Sequence, residues 1–186
     1  MRIVSGRFRG THLATPKGEG TRPTSDRLRE TIFNILAHGH DDAVVDARVL
    51  DLFAGTGALG LEALSRGARA CVFIEDAVEP RGLIRRNVET MGLTGVTKIF
   101  RRDATRLGDA GTIEPFDLVF LDPPYRKGLG EKALASAKAG GWLKPGALCV
   151  LEEAADAVVE TPSGFTPLDE RAAGDSKVLF LRLASE

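Results

Sequence analysis

The chain has 186 residues, of which 43% are hydrophobic and 27% are charged, a balance typical of one globular domain rather than of a disordered segment. No secretory leader pattern opens the chain, and no apolar run approaches the roughly 18 residues that a membrane span needs. Cys71 and Cys149 each lie inside an apolar run, outside any metal-ligand spacing. We therefore expect a soluble, cytoplasmic protein with buried, reduced thiols, without a metal site and without a membrane partner.

The net charge is only −1, but the charges are unevenly distributed. Residues 1–30 carry seven Lys/Arg against three Asp/Glu, whereas the rest of the chain carries 18 against 23. The basic residues of this N-terminal part are Arg2, Arg7, Arg9, Lys17, Arg22, Arg27 and Arg29. Such asymmetry favours a basic arm that contacts nucleic acid on a near-neutral body. The alternative is an ordinary solvated surface on which charges cluster by chance.

The first predicted element is a short basic hairpin. Residues 2–13 mix β-forming residues with Gly6 and Gly10, which are typical of tight turns. Residues 15–22, rich in Gly and Lys, predict a loop, and residues 23–25 predict the entry to a helix. The hydroxyl groups of that entry are available to cap the first free N–H groups of the helix.

The helix that follows is predicted to be amphipathic. Its apolar residues recur at helical spacing and are Leu28, Ile32, Ile35 and Leu36. Arg27 falls on another face, so the helix can dock its apolar side and leave basic residues outward. We expect residues 1–40 to form an RNA-binding extension, and residues 41–186 to form the main domain.

From residue 48 onward the pattern alternates between strands and helices. The predicted strands are 49–53, 70–74, 98–100, 116–121 and 147–151, and the predicted helices are 58–66, 80–91 and 131–139. Repeated βα units predict a mostly parallel sheet with helices on both faces. At the end, 165–171 and 178–183 are joined by a short polar link containing Gly, which predicts an antiparallel pair.

A glycine-rich turn follows the first of these strands. Gly55, Gly57 and Gly60 form a G-x-G-x-x-G pattern between a strand and a helix, which marks a nucleotide-binding turn. Proteins that bind NAD(P) use the same pattern. Asp51, four residues before Gly55, would repel a pyrophosphate and would attract a ligand that carries an ammonium group. The alternative for Asp51 is a structural carboxylate with its hydrogen bonds satisfied.

Two further strand ends carry residues suited to adenosine. Glu75, at the end of the second strand, can accept hydrogen bonds from both hydroxyls of a ribose. Asp103 and Ala104 follow the third strand, where the carboxylate can accept from an adenine amine and the next backbone N–H can donate to the ring. These residues indicate an adenosine ligand without distinguishing NAD from S-adenosylmethionine.

The end of the fourth strand carries Asp122-Pro123-Pro124-Tyr125. An exocyclic amine of a base is a poor nucleophile because its lone pair is delocalised into the ring. The Asp122 carboxylate and the rigidly placed Pro123 carbonyl offer two acceptors that could hold such an NH₂ group. Tyr125 offers a flat face on which an extruded base can stack. An isolated tetrapeptide of this kind could equally be only a turn, but its position after a buried strand favours a catalytic site.

Together these motifs resemble the class I S-adenosylmethionine-dependent methyltransferases, and the D-P-P-Y resembles the branch that methylates exocyclic amines. The stretches Arg2–Gly10, Arg22–Glu30 and Phe33–Leu36 resemble the RsmD family, which methylates N2 of a guanine in bacterial 16S rRNA. The resemblance covers nearly the whole chain. It implies a Rossmann-like α/β fold whose seven-stranded sheet has an antiparallel last strand.

The resemblance also implies site residues and partners. The implied cofactor-binding residues are Asp51, Phe53, Ala54, Gly55, Thr56, Gly57, Glu75, Asp103 and Ala104. Asp51 would lie near the methionine amine of S-adenosylmethionine, and the substrate would be 16S rRNA within a partly assembled small ribosomal subunit. We expect the chain to act as a monomer.

Other functions remain compatible with the residues alone. The same acceptor pair would serve N6 of adenine in DNA or RNA, or an amide of a protein. An NAD(P) oxidoreductase would use the glycine turn but would leave the D-P-P-Y without a function. A non-catalytic RNA-binding or assembly factor could retain the fold, although intact cofactor motifs argue against it.

Overall fold

The computed structural model describes residues 1–17 and 25–185, and these form a seven-stranded sheet in the order β3-β2-β1-β4-β5-β7-β6. The strands are β1 (Arg48–Leu52), β2 (Ala70–Ile74), β3 (Thr97–Phe100), β4 (Phe116–Leu121), β5 (Leu143–Ala154), β6 (Phe165–Ala173) and β7 (Ser176–Leu183). Strands β1 to β5 pair in parallel, whereas β7 runs antiparallel to both β5 and β6. The predicted fold class, with its antiparallel last strand, is confirmed.

Within the described residues, four α-helices connect and cover the strands. They are α1 (Asp26–Gly39), α2 (Ala58–Ser65), α3 (Val78–Thr90) and α4 (Leu129–Ala139). Helix α1 begins at Ser25, whose hydroxyl accepts a hydrogen bond from the Leu28 N–H at 3.1 Å, so the predicted hydroxyl cap is confirmed at this residue. The rest of the predicted helix entry, residues 23 and 24, lies outside the described residues, as does most of the predicted loop 15–22.

Strand β5 differs from its prediction. The sequence predicts a strand over 147–151, but the strand runs from Leu143 to Ala154. Leu143 already pairs with Phe116, and the register then shifts before Leu148 pairs with Leu118. The irregularity coincides with Gly146, whose positive φ of 83° interrupts regular extended backbone. The extra residues at the carboxyl end pair with β7 and extend this strand beyond the end of β4.

The predicted hairpin over residues 2–13 is reduced to a single antiparallel bridge between Arg2 and His12. Around it, the Ile3 N–H donates to the Thr11 carbonyl and the Gly10 N–H donates to the Ile3 carbonyl, both at 2.9 Å. The residues between are held by contacts with α2 rather than by a ladder. Ile3 and Leu13 are buried in the same hydrophobic cluster as the sheet, so this segment shares the core of the main domain.

The core lies on both faces of the sheet. One cluster packs the N-terminal segment and helices α1, α2 and α3 against one face, and a second cluster packs α4 and the loop before β4 against the other. In the part of the chain that the structure describes, no helix is both long and apolar enough to span a bilayer. This layered arrangement leaves the carboxyl ends of the parallel strands along one edge, where ligands bind in open α/β sheets.

Candidate active site

Pairing among four adjacent strands stops at one level, beyond which β5 continues with β7. The last residues that pair between β2, β1, β4 and β5 are Ile74, Leu52, Leu121 and Leu151. The next residue along each strand is therefore Glu75, Phe53, Asp122 or Glu152, in this order across the sheet. Three of these four residues are carboxylates, which gives the edge a negative character suited to a cationic ligand.

The glycine turn lies directly beside this row. Its backbone leaves the β region at Phe53 (φ 56°), and Gly55 and Gly57 also have positive φ. A carboxylate oxygen of Glu75 accepts a hydrogen bond from the Gly55 N–H at 2.8 Å, and the other accepts from the Ala77 N–H at 3.0 Å. The turn after β1 and the end of β2 are therefore held together by one side chain.

Asp51 lies beneath the turn and is only 1% exposed. Its Oδ2 accepts a hydrogen bond from the Gly60 N–H at 3.0 Å. Burial raises the pKa of Asp51 well above its usual value, and the charges of Asp122 and Glu75 raise this pKa further. The three carboxylates are therefore close enough to interact, and a positive charge placed among them would be stabilised.

A cavity of about 300 Å³ opens at this edge. It is lined by Phe53, Ile74, Glu75, Asp76, Arg102, Asp103, Ala104, Thr105, Pro124 and Leu129. Five residues predicted from separate motifs are thus brought together, namely Phe53, Glu75, Asp103, Ala104 and Pro124. The other predicted cofactor residues, Asp51, Ala54, Gly55, Thr56 and Gly57, are not among the lining residues.

Asp103 has a local structural function in addition to its place in the cavity. Its Oδ1 accepts hydrogen bonds from the Thr105 hydroxyl at 2.7 Å and from the Thr105 N–H at 2.9 Å. These bonds lower the pKa of Asp103 and cap the short 3-10 turn Ala104–Arg106. The exposed carboxylate is therefore ionised and held at the cavity wall.

Thr56 contacts the N-terminal segment. Its carbonyl accepts a hydrogen bond from the Asn87 Nδ2 at 3.1 Å, and Asn87 Oδ1 accepts from the Ala14 N–H at 2.7 Å. The Thr56 hydroxyl also lies 3.8 Å from the sulfur of Met1. These contacts tie the N-terminal segment to the glycine turn, and Asn87, a polar residue within α3, is absent from the sequence prediction.

The D-P-P-Y follows β4 directly, as predicted. Asp122 is half-buried, Pro123 is buried and Pro124 is exposed at the cavity wall with Phe53. Asp122 is near enough to Asp51 for its charge to raise the pKa of that buried carboxyl. Among the four residues of the D-P-P-Y, Pro124 lines the cavity, whereas Asp122, Pro123 and Tyr125 are not among its lining residues.

Two carboxylates absent from the sequence prediction hold the D-P-P-Y and the residue after it. The Tyr125 hydroxyl donates a hydrogen bond to Glu152 Oε2, and the Arg126 N–H donates to Glu153 Oε1 at 2.9 Å. Both glutamates belong to β5 and are buried. The sequence could have pointed to these glutamates, because they directly follow the apolar run 147–151, just as Asp122 directly follows the apolar run 116–121.

The predicted RNA-binding residues fall into three groups. Arg2, Arg7, Arg9, Lys17 and Arg27 are exposed, and Arg22 lies outside the described residues. Three of the exposed residues, Arg2, Arg9 and Arg27, line a groove of about 370 Å³ between the N-terminal segment and α1. Asp26 and Glu30 also line this groove, so it is basic but not uniformly so.

The prediction that Arg29 contacts RNA is wrong, because this side chain is 0% exposed and is not accessible to RNA. It donates to the Arg2 carbonyl and to Asp26 Oδ1, the latter at 2.7 Å, and its Nε lies 3.7 Å from Glu62 Oε1. The spacing of residues in the sequence already indicates that Arg29 is buried. The buried residues Ile32, Phe33 and Leu36 follow Arg29 at three, four and seven positions, which is the spacing of one helix face.

The exposed turn over residues 4–9, which carries Arg7 and Arg9 and is called the basic turn below, is fixed to α2. Glu62, a buried residue of this helix, accepts hydrogen bonds from the Val4 N–H at 2.9 Å and the Ser5 N–H at 3.0 Å. Ser65 accepts from the Arg7 N–H at 2.8 Å through its carbonyl. A Cβ at Gly6 would lie 2.1 Å from this carbonyl oxygen, so the close approach requires glycine. The turn thus lies at the opposite end of α2 from the glycine turn, about 12 Å along the helix axis.

Comparison with known proteins agrees with the motifs. The family model for conserved hypothetical protein 95 matches residues 1–182. The Escherichia coli (strain K12) ribosomal RNA small subunit methyltransferase D is 40% identical over 176 residues, which cover 94% of this chain and 85% of that protein. The E. coli yhhF structure is 33% identical with a TM-score of 0.84, and the match covers 100% of this chain and 99% of that chain.

A more distant structure shows the same fold. An RNA methyltransferase from Salinibacter ruber, solved in complex with S-adenosyl-L-homocysteine, is 17% identical with a TM-score of 0.66. The match covers 89% of this chain and 95% of that chain. Because the family model spans nearly the whole chain, the chain belongs to the conserved hypothetical protein 95 family, which is the RsmD family that its N-terminal and D-P-P-Y motifs predict.

Proposed function

We propose that this chain transfers a methyl group from S-adenosylmethionine to N2 of a guanine in 16S rRNA. The observation that supports the proposal most is that Pro124 of the D-P-P-Y lines one cavity with Glu75 and Asp103, while Asp122, two residues earlier, is near enough to raise the pKa of Asp51. Membership of the same family as a small subunit rRNA methyltransferase, at 40% identity, supports ribosomal RNA as the substrate. An NAD(P) oxidoreductase would leave the acceptors after β4 without a function.

The residues at the cavity fit the proposed cofactor. The volume of about 300 Å³ lies at the lower end of the range of small-molecule sites. Glu75 can accept from the ribose hydroxyls while it retains its bonds to backbone N–H groups, because each carboxylate oxygen accepts more than one hydrogen bond. In this proposal, Asp103 and Ala104 would contact the adenine, and Asp51 would attract the ammonium group. When bound, S-adenosylmethionine supplies an electrophilic methyl group on a sulfonium sulfur.

The residues after β4 would then position the nucleophile. The Asp122 carboxylate and the Pro123 carbonyl accept hydrogen bonds from the two N–H groups of the amine and aim its lone pair at the methyl carbon. Methylation of the amine would place positive charge on the nitrogen, and the Asp122 carboxylate would stabilise that charge. The nitrogen then loses one proton, for which the same carboxylate is the adjacent acceptor. Tyr125 provides the face on which the extruded base stacks.

Residues 1–40 would supply contacts with the RNA backbone in this proposal, and residues 41–186 would carry out the transfer. Arg2, Arg7, Arg9, Lys17 and Arg27 are exposed and can contact phosphates. These side chains lie on a short segment rather than on a separate RNA-binding domain. We therefore propose that a monomer acts on RNA presented within a partly assembled small subunit.

The proposal is tested by methylation of small-subunit particles that lack the modification, followed by digestion to nucleosides and mass spectrometry. The wild type should produce N2-methylguanosine. Asp122→Ala should lower the rate by about 10²–10⁴ because a charged acceptor is lost, while the dissociation constant for the cofactor changes little. Asp175→Ala, at an exposed carboxylate in the turn between β6 and β7, is the matched control and should retain full activity. Formation of N6-methyladenosine, or full activity of Asp122→Ala, would contradict the proposal.

A further inference from the structure

We propose that Glu152 is a positioning residue for methyl transfer, which holds the side chain of Tyr125 where the acceptor base stacks. This inference rests on the proposed function, because it assigns to Tyr125 the task of receiving the base. Glu152 lies outside every motif that the sequence prediction used, and its assignment comes from the sheet register, its burial and its contact with Tyr125.

The register places Glu152 beside Asp122. Leu121 of β4 pairs in parallel with Leu151 of β5, so Asp122 and Glu152 are the next residues on neighbouring strands. The strand order puts Glu75 on one side of Asp122 and Glu152 on the other. Glu75 lines the cavity proposed for the cofactor. The base would therefore bind on the other side of Asp122, which is the side where Glu152 lies.

The contact with Tyr125 is direct. The phenolic hydroxyl donates a hydrogen bond to Glu152 Oε2, and Glu152 is only 3% exposed. A hydrogen bond to a carboxylate is stronger than one between neutral groups, and exclusion of water strengthens it further. The bond fixes the hydroxyl at one end of the side chain while the backbone fixes the other end. The ring is therefore held at a defined position before the base arrives.

The backbone that carries Tyr125 is fixed by the neighbouring glutamate. Glu153 Oε1 accepts the Arg126 N–H at 2.9 Å, and Arg126 has a left-handed φ of 63°. Two consecutive carboxylates of β5 therefore hold two consecutive residues of the loop after β4. A buried carboxylate is costly to desolvate, so a simple packing function would be served as well by an apolar residue. A carboxylate at position 152 is explained if its function is to accept the hydrogen bond from the Tyr125 hydroxyl.

The inference is tested by a double-mutant cycle with Tyr125→Phe and Glu152→Leu. Tyr125→Phe keeps the ring and removes the hydroxyl, whereas Glu152→Leu keeps much of the volume and removes the acceptor. Each variant should lower kcat by about 10-fold or more, because small displacements of reacting groups are costly. The double variant should lose no more than the single variants, because both changes break one interaction. Glu152→Gln, which retains a carbonyl acceptor, should recover part of the loss.

Further measurements separate positioning from a structural function. The dissociation constant for S-adenosylmethionine and the unfolding midpoint should stay close to the wild-type values in Tyr125→Phe and Glu152→Gln. Glu160→Leu, at an exposed carboxylate between β5 and β6, is the matched control and should behave as the wild type. If Glu152→Leu does not fold, the cycle is completed with Glu152→Gln, which keeps the volume of the side chain.

Two results would overturn the inference. One is wild-type kcat in Glu152→Leu or, where that variant does not fold, in Glu152→Gln. The other is losses that multiply in the double variant, which would show that the two residues act independently. Failure of the proposed function is distinguishable, because the wild type itself would then methylate no guanine.

Discussion

The carboxylate of Asp51 accepts the Gly60 N–H at 3.0 Å, and there is no room for a side chain at Gly60. A Cβ at this position would lie 2.5 Å from Phe73 Cε1, 2.7 Å from Cys71 Sγ and 3.1 Å from Asp51 Oδ2. Glycine therefore lets the first turn of α2 contact β1 and β2 directly. This packing fixes the helix whose amino end carries the glycine turn.

Gly60→Ala should destabilise the protein, because the added methyl group must displace buried side chains. Overpacking of this kind costs about 1–3 kcal/mol in the free energy of unfolding, which urea denaturation can measure. Gly82→Ala is the matched control, since Gly82 lies within α3 and a Cβ there meets no atom within 4 Å. That variant should gain up to about 1 kcal/mol from its higher helix propensity. Equal stability of the two variants would contradict the packing argument.

Much of this site follows from the sequence because its residues stand at strand ends. The end of β4 coincides with its predicted position, and Asp122 follows it directly. Parallel strands bring their carboxyl ends to one edge, so motifs far apart in the chain can be placed together without coordinates. The cavity contains Phe53, which follows β1, and residues from the end of β2, the loop after β3 and the D-P-P-Y.

Partners across the fold could not be predicted in the same way. Helical spacing places Arg29 on the buried face of α1, but only the structure shows that Asp26 and Glu62 accept its charge. The contact between Tyr125 and Glu152 depends on the register of β4 against β5, which the sequence does not determine. The sequence predicts too short a β5, because pairing with β7 extends this strand through the charged residues Glu152 and Glu153.

Asp51 should make the stability of the free protein depend on pH. Its pKa is raised by burial and then by Asp122 and Glu75, so folding favours the protonated carboxyl. The resulting contribution to stability is fully present below the unfolded pKa, near 3.8, and is lost as the pH rises through the higher folded pKa. Asp51→Asn does not titrate at this position, so its free energy of unfolding relative to the wild type should increase with pH across that window. Denaturation series at several pH values measure the difference, and a constant difference would contradict a raised pKa.

The same residue should couple cofactor binding to proton release. An ammonium group beside Asp51 favours the ionised carboxylate, so binding should strengthen as the pH rises through the pKa of Asp51 in the free protein. Calorimetric titration with S-adenosylmethionine in two buffers of different ionisation enthalpy measures the protons released. Asp51→Asn should weaken binding by about 10–100-fold, equivalent to about 1.4–2.8 kcal/mol, and should abolish this proton release. Proton release that persists in Asp51→Asn would assign it to another group.

The exposed arginines of the basic turn should contribute to RNA affinity through phosphate contacts. Arg7→Ala combined with Arg9→Ala should weaken RNA binding and lower the slope of log K against log salt concentration by about 1–2. Cofactor affinity should not change, because the turn lies at the far end of α2. Arg171→Ala, on the edge strand β6, is the control for loss of an exposed charge. An unchanged slope in the double variant would restore the interpretation of a merely solvated surface.

Arg27 and Arg29 lie two positions apart in α1, yet their replacement should have different consequences. Arg27 is exposed at the groove beside Arg2, so Arg27→Ala should lower RNA affinity and its salt slope while the free energy of unfolding stays nearly unchanged. Arg29 is buried against Glu62, and Arg29→Ala would leave a buried carboxylate with one of its cationic partners removed. Breaking such a pair costs about 3–5 kcal/mol in the free energy of unfolding.

Because Glu62 also accepts hydrogen bonds from the Val4 and Ser5 N–H groups, the loss of Arg29 should loosen the basic turn as well, and hydrogen exchange at these two amides should become faster. If Arg29→Ala were as stable as the wild type and bound RNA with a reduced salt slope, the arginine would belong to the RNA surface after all.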